Sequence, residues 1–213
     1  MSEAPFELRG PRIGLRIPRA DDAHRLFELA SDPEVTRFFS WGPYRQESEA
    51  RDWLDTLAAR RAAGTALELA VVDADDWVIG ITGVFEVSRR DRRALVGTWL
   101  GRAYWGTGAN AESKALIAHL VFGPLRMERL GAWADVRNPR SQRALERLGF
   151  AREGTLRAFH RHRDERRDVI SYALLREEWA ASGLAAVPFT LSGEVPQEFV
   201  CDLRPPAGAP APG

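Results

Sequence analysis

Tyr104-Trp105-Gly106-Thr107-Gly108-Ala109-Asn110-Ala111-Glu112 places two glycines one residue apart directly before a run, Ala109 to Phe122, with helical apolar spacing. Glycines let a turn bring backbone N–H groups close to a bound group, and a helix start adds unpaired donors and the positive end of its macrodipole. Phosphate is the usual guest of such a turn. Two familiar glycine loops can be compared with it. A P-loop needs Gly directly before Lys and then Ser or Thr, whereas Lys114 follows Ser113 and precedes Ala115, so that reading fails. Gly106, Gly108 and Ala111 do match the dinucleotide fingerprint, with Asp135 near where a ribose-binding acid belongs.

The flanking elements decide against the dinucleotide. Upstream, Leu67 to Val72, Trp77 to Phe85 and Ala94 to Leu100 read as three strands with no helix between them, an antiparallel meander rather than a doubly wound sheet. Further upstream, Arg12 to Ile17 alternates as a half-buried strand, and helices are expected from about Asp21 to Ala30 and Glu47 to Ala62. Between them Phe38, Phe39, Trp41 and Tyr44 form an aromatic loop that either plugs a core or walls a substrate pocket. Downstream come a strand from Leu130 to Val136, Asn138-Pro139 opening a short helix to Leu148, and two strands at about Ala151 to His160 and Asp168 to Leu175.

This order, with Tyr104-Trp105-Gly106-Thr107-Gly108, Asn138-Pro139-Arg140-Ser141 and Leu148-Gly149-Phe150, resembles the GCN5-related N-acetyltransferase (GNAT) family, in the branch of ribosomal-protein N-terminal acetyltransferases. The resemblance spans about Arg12 to Trp179 and implies a central, mixed, mostly antiparallel sheet. About seven strands and four helices are expected, with the sheet splayed between its fourth and fifth strands. It implies acetyl-CoA as cofactor, with the backbone of Trp105, Gly106, Thr107, Gly108, Ala109 and Asn110 on the pyrophosphate. The pantetheine arm would run along edge groups near Trp99 and Leu100 and meet the Asn138 side chain, with Arg143 among the basic residues near the nucleotide phosphates. It also implies direct transfer to a primary amine, either a protein or peptide N-terminus or a small molecule.

Within that chemistry Ser141 is the candidate for the thiolate end. The places where relatives carry a Glu and a Tyr hold Leu95 and Leu145 here, so Glu86 and His160 are the candidate substitutes for the base. The same two leucines motivate a second reading, an acyl-CoA-binding regulatory module with little turnover. An NAD(P)-binding protein is a remote third.

Composition bounds the rest. The 213 residues carry zero net charge, 45% hydrophobic and 28% charged residues, so one soluble domain is expected. Neutrality argues against direct nucleic-acid binding, and no apolar run is long enough to span a membrane. The start lacks a signal-peptide pattern, which makes cytoplasmic localisation the default. The single cysteine, Cys201, reads as a bystander in a tail rather than a residue beside a His, and no metal site is expected. The expected organisation is an N-terminal extension (1–11) and an acetyltransferase domain (12–180). A C-terminal extension (181–204), packed on the domain or on a neighbour in a homodimer, and a disordered Pro/Gly/Ala-rich tail (205–213) complete it.

Overall fold

The computed structural model describes residues 5–162 and 164–202. β3 (Ala66–Val72), β4 (Val78–Ser88) and β5 (Arg93–Leu100) pair antiparallel in chain order. Asp73 turns the first corner, its Oδ1 accepting from the backbone N–H groups of Asp75 and Trp77 at 3.0 Å each. α4 (Ala109–Phe122) then crosses one face of the sheet and returns the chain to β6 (Arg129–Asp135), parallel to β5. α5 (Pro139–Arg147) leads to the hairpin β7 (Ala151–His162) and β8 (Glu165–Leu175), with β8 placed between β6 and β7.

Side-chain alternation assigns the two faces. Leu67, Leu69, Val71, Val84, Ala94 and Val96 pack with α4, whereas Ala70, Val72 and Ile81 pack with α1 (Ala23–Ala30) and α3 (Glu47–Ala62). α2 (Pro33–Thr36) is a single turn started by Asp32, whose side chain accepts from the Glu34 N–H. β2 (Gly14–Arg16) extends the sheet beside β3 and delivers the buried Arg16 to Asp22 and Asp76.

The sheet has nine strands among the described residues, two more than expected, because β1 (Glu7–Arg9) and β9 (Thr190–Ser192) add to its edge. Each is three residues long, too short for a periodic pattern. Residues 7–9, expected in an extension, therefore belong to the sheet. After α6 (Arg176–Ala180) the C-terminal segment packs on its own domain. Phe189 stacks on His119 at 4.1 Å, the His119 Nε2–H donates to the Val187 carbonyl at 2.9 Å, and Phe199 and Cys201 are fully buried. Cys201 is thus a core residue and not part of a loose tail; burial pushes its thiol pKa up. With this segment seated on its own chain, it gives no reason for a homodimer. The expected tail at 205–213 lies outside the described residues.

Candidate active site

β5 and β6 pair only from Arg93↔Arg129 to Leu95↔Gly131, and beyond that the strands part. Leu95 closes the narrow end, since its Cδ2 lies 2.4 Å from where a Cβ on Gly131 would stand. Which groups face the opening follows from the other side of β5. The Gly101 N–H donates to the Ile79 carbonyl at 2.9 Å, so by the alternation of an antiparallel ladder Trp99 and Gly97 also bond to β4. Beyond the last paired residues, Thr98 and Leu100 therefore direct their backbone groups into the splay. Trp99 does not offer the edge groups expected of it; Thr98 and Leu100 do. The Leu100 carbonyl is taken at 2.8 Å by the indole N–H of Trp105.

At the wide end stands the glycine turn. Gly106 and Gly108 have φ of 78° and 92°, a left-handed conformation that glycine adopts without strain, and Gly108 is the N-cap of α4. The turn is held by the Thr107 hydroxyl donating to the Tyr104 carbonyl at 2.9 Å and by Arg12 donating to the Thr107 carbonyl at 2.9 Å. Glu112 secures Arg12 in turn, accepting from its backbone N–H at 2.8 Å and its Nε at 2.9 Å. The Ala109 N–H meets the Thr107 hydroxyl at 3.3 Å. The N–H groups of Gly106, Thr107, Gly108 and Asn110 have no partner among the described residues, and a Cβ on Gly106 would meet open space. Together they form an anion cradle at a helix N-terminus.

α5 supplies the facing wall. Asn138 caps it, its Oδ1 accepting from the Ser141 N–H at 3.1 Å, which leaves the Asn138 amide donors for another partner. The Ser141 hydroxyl has no partner among the described residues. Arg140 lies over the Trp105 ring at 3.4 Å from its centroid, and burial lowers its pKa. Arg143 and Arg147 share its helix face, but both are exposed and neither touches the turn. Arg147 instead borders a cavity of about 550 Å³, lined also by Arg12, Glu112, Ser182 and Pro188 and by no residue of the splayed strands.

On the face of the sheet opposite α4, the aromatic loop reaches the splay. Trp41 meets Phe39 at 5.3 Å, Tyr44 at 5.5 Å and Trp99 of β5 edge-on at 5.6 Å. Burial pushes the Tyr44 phenol up to about 12. From β6, Trp133 faces the same side and carries Phe85 at 5.9 Å, Phe159 at 4.6 Å and His160 at 5.2 Å. His160 is therefore brought beside the splay. Glu86 is not: it stands exposed on a bulge of β4 with φ 48°, beside the closed end, with no contact to Ser141 or His160 among the described residues. Leu145 is buried in the core, so no acid replaces it at that position. Asp135, the acid of the dinucleotide reading, is buried and held by Arg137, whose backbone N–H donates to it at 2.8 Å, and by Arg167 at 3.6 Å. In a mostly antiparallel sheet that reading has no support.

One residue of the site escaped the sequence reading. Lys114 lies inside α4 with its ammonium on the Thr98 hydroxyl, beneath the open part of the splay. The available signal was a lone lysine directly before the apolar run Ala115 to Ala118.

A family model described as an acetyltransferase (GNAT) domain matches residues 12–151. The chain belongs to the GNAT family. It is 31% identical over 170 residues to p20 of Bacillus licheniformis, named an uncharacterized N-acetyltransferase, covering 79% of this chain and 96% of that protein. YdaF of Bacillus subtilis (strain 168), whose name assigns it provisionally to ribosomal N-acetylation, is 26% identical over 172 residues, covering 78% and 93%. A crystal structure of an acetyltransferase from T. thermophilus, also a provisional assignment, superposes with a TM-score of 0.74 at 33% identity, covering 87% of this chain and 96% of that one. This GNAT member is accordingly an N-acetyltransferase, with the splayed sheet of its family.

Proposed function

We propose that this enzyme moves the acetyl group of acetyl-CoA to a primary amine by direct attack of the amine on the thioester. The observation that carries the reading is the alignment of the splay with the glycine turn: unpaired β5 edge groups lead straight to a cluster of unclaimed N–H donors at the start of α4. The turn would hold the pyrophosphate, the Asn138 amide the pantetheine arm, and the Thr98 N–H the thioester carbonyl, where it would stabilise the developing oxyanion. Direct transfer fits because Cys201, the only cysteine, is buried away from the splay and cannot carry an acyl group there.

The acceptor would enter from the face opposite α4, between the Trp41–Trp99 pair and Trp133. Aromatic walls suit the apolar part of an amine or the first residues of a peptide. An α-amino group, with a pKa near 8, needs little help to lose its proton, and His160 beside Trp133 is the nearest candidate base among those expected from sequence. A protein N-terminus and a small-molecule amine both fit, and the name of the relative YdaF assigns that protein provisionally to ribosomal N-acetylation. No helix among the described residues is long and apolar enough to cross a membrane, and we place the enzyme in the cytoplasm.

The test is release of free thiol from acetyl-CoA in the presence of a panel of amines and N-terminal peptides. Acceptor-dependent release is expected. Tight acetyl-CoA binding with no release for any acceptor would instead favour a regulatory acyl-CoA-binding module, the reading motivated by Leu95 and Leu145.

A further inference from the structure

α4 is buried along its length from Glu112 to Phe122. Lys114, the only lysine of the chain, stands inside it at 6% exposure. Its one hydrogen bond among the described residues goes to Oγ1 of Thr98. That oxygen lies 2.6 Å from Oγ1 of Thr82, which reaches the Gly97 carbonyl at 3.2 Å. Among the described residues no ion pair compensates the amine, for the charged groups of α4 and of the elements packed on it are engaged or directed elsewhere. Glu112 is held by Arg12, Asp135 by Arg137 and Arg167, Glu68 by Arg60 on the other face of β3, and Asp22 and Asp76 by Arg16. His119 bonds the Val187 carbonyl, Arg129 pairs with Glu153, and Glu86 and Arg93 are exposed. Burial without a counter-charge brings the Lys114 ammonium down to about 7.

An uncompensated buried amine is costly to keep, and its location is informative. Thr98 belongs to the stretch of β5 that β6 no longer covers; its backbone faces the splay while its side chain turns down to α4. Five residues into the helix puts Lys114 roughly 8 Å from the glycine turn. Thr98 is three residues, about 10 Å, from the closed end at Leu95. The amine thus lies under the slot between the phosphate cradle and the point where the strands meet, where the sulfur end of the cofactor has to be.

We propose that Lys114 is the acid for the leaving group, its ammonium, poised on Thr98, protonating the sulfur of CoA. The proposal rests on the acetyl-CoA reading above. The acceptor nitrogen bonds to the carbonyl carbon, and the C–S bond breaks with its electron pair passing to sulfur. The Nζ–H proton moves to that sulfur, leaving a neutral amine that suits its apolar surroundings. The proton shed by the acceptor nitrogen goes to water, from which Lys114 regains one. A hydroxyl such as that of Ser141 can relay a proton near neutral pH but has no surplus one to give, whereas an acid with a pKa near the working pH can.

Free CoA bound to the enzyme provides the test, because its thiol paired with the Lys114 amine becomes a thiolate–ammonium pair. Calorimetry records binding, and the ultraviolet absorbance of the thiolate, followed against pH, records ionisation. In the wild type the bound thiol is expected to titrate at least about one pH unit, a tenfold change in acidity, below free CoA. In Lys114→Met, whose unbranched side chain suits the buried site, it should titrate at or above the free value. Bound CoA that ionises like free CoA in the wild type, or shifts equally in both proteins, overturns the role of Lys114 and leaves the cofactor reading intact. Failure of the wild type to bind CoA at all overturns the cofactor reading, and the proposal with it.

Discussion

The guanidinium of Arg140 lies over the indole of Trp105 at 3.4 Å from the ring centroid, while the same indole donates to the Leu100 carbonyl at 2.8 Å. Trp105 thereby joins the open end of β5, the glycine turn and the first turn of α5. The arrangement leaves the guanidinium N–H groups, which make no ion pair among the described residues, beside the anion cradle. A charge-assisted hydrogen bond contributes about 1.5–3 kcal/mol, so Arg140→Ala should weaken acetyl-CoA binding by roughly ten- to a hundredfold. Calorimetric titration measures it, and an unchanged Kd would confine Arg140 to packing on Trp105.

Gly108 is left-handed at φ 92°, and a Cβ there would approach the Arg12 guanidinium to 2.6 Å. Gly108→Val should raise the Kd for acetyl-CoA by more than about tenfold, because the turn must shift and its N–H groups lose their aim. Backbone strain of roughly 1–2 kcal/mol is expected beside it. Far-ultraviolet circular dichroism should show the fold retained; native affinity in a folded variant would mean the phosphate binds elsewhere.

Asn138 caps α5 through the Ser141 N–H. Asn138→Ala should cost about 1 kcal/mol of stability, seen as a lower urea midpoint. Asn138→Asp keeps the cap and should restore stability but not cofactor affinity, since it lacks the amide donors assigned to the pantetheine arm.

Lys114 makes stability pH-dependent with a definite sign. Its folded pKa of about 7 lies below the usual lysine value of about 10.4. Between those limits the unfolded chain holds a proton that the folded chain lacks, so raising the pH stabilises the fold by up to roughly 1.4 kcal/mol per unit. Below pH 7 both states are protonated and the contribution is flat at its least favourable. Lys114→Met should be more stable than wild type at pH 7, and the difference should shrink as pH rises toward 10. Parallel urea-midpoint curves for the two proteins would refute the depressed pKa.

Arg16 binds both oxygens of Asp22 at 2.8 Å and one of Asp76 at 2.8 Å, with both Arg16 and Asp22 buried. The two carboxylates hold Arg16 firmly protonated. Arg16→Met leaves Asp22 without its counter-charge and should cost about 3–5 kcal/mol, measured by chemical denaturation. The double variant Arg16→Met with Asp22→Asn should recover part of that loss, and a loss no smaller than the single variant's would argue against unpaired charge as the cause.

Legibility followed the range of each interaction. The meander from Ala66 to Leu100, the glycine turn and the Asn138 cap were readable because strand alternation, left-handed glycines and N-caps are local, set within a few residues. β1 and β9 were not, since three-residue strands form only where a sheet edge already exists to pair with them. Cys201 looked like part of a loose tail because its burial against the Leu125 segment is a contact between residues far apart in the chain.

The sequence by itself determined the family, the element order and the cradle at Tyr104 to Glu112, because backbone conformation near glycine and at a helix start is written in adjacent residues. Only the tertiary structure decided which groups line the slot. The register of β5 against β4 turns Thr98 and Leu100 toward it and Trp99 away, the bulge leaves Glu86 exposed beside the closed end, and helix packing sets the lone lysine beneath it. A one-residue change of register reverses which backbone groups face the opening, and such a register is fixed by pairing partners distant in the chain.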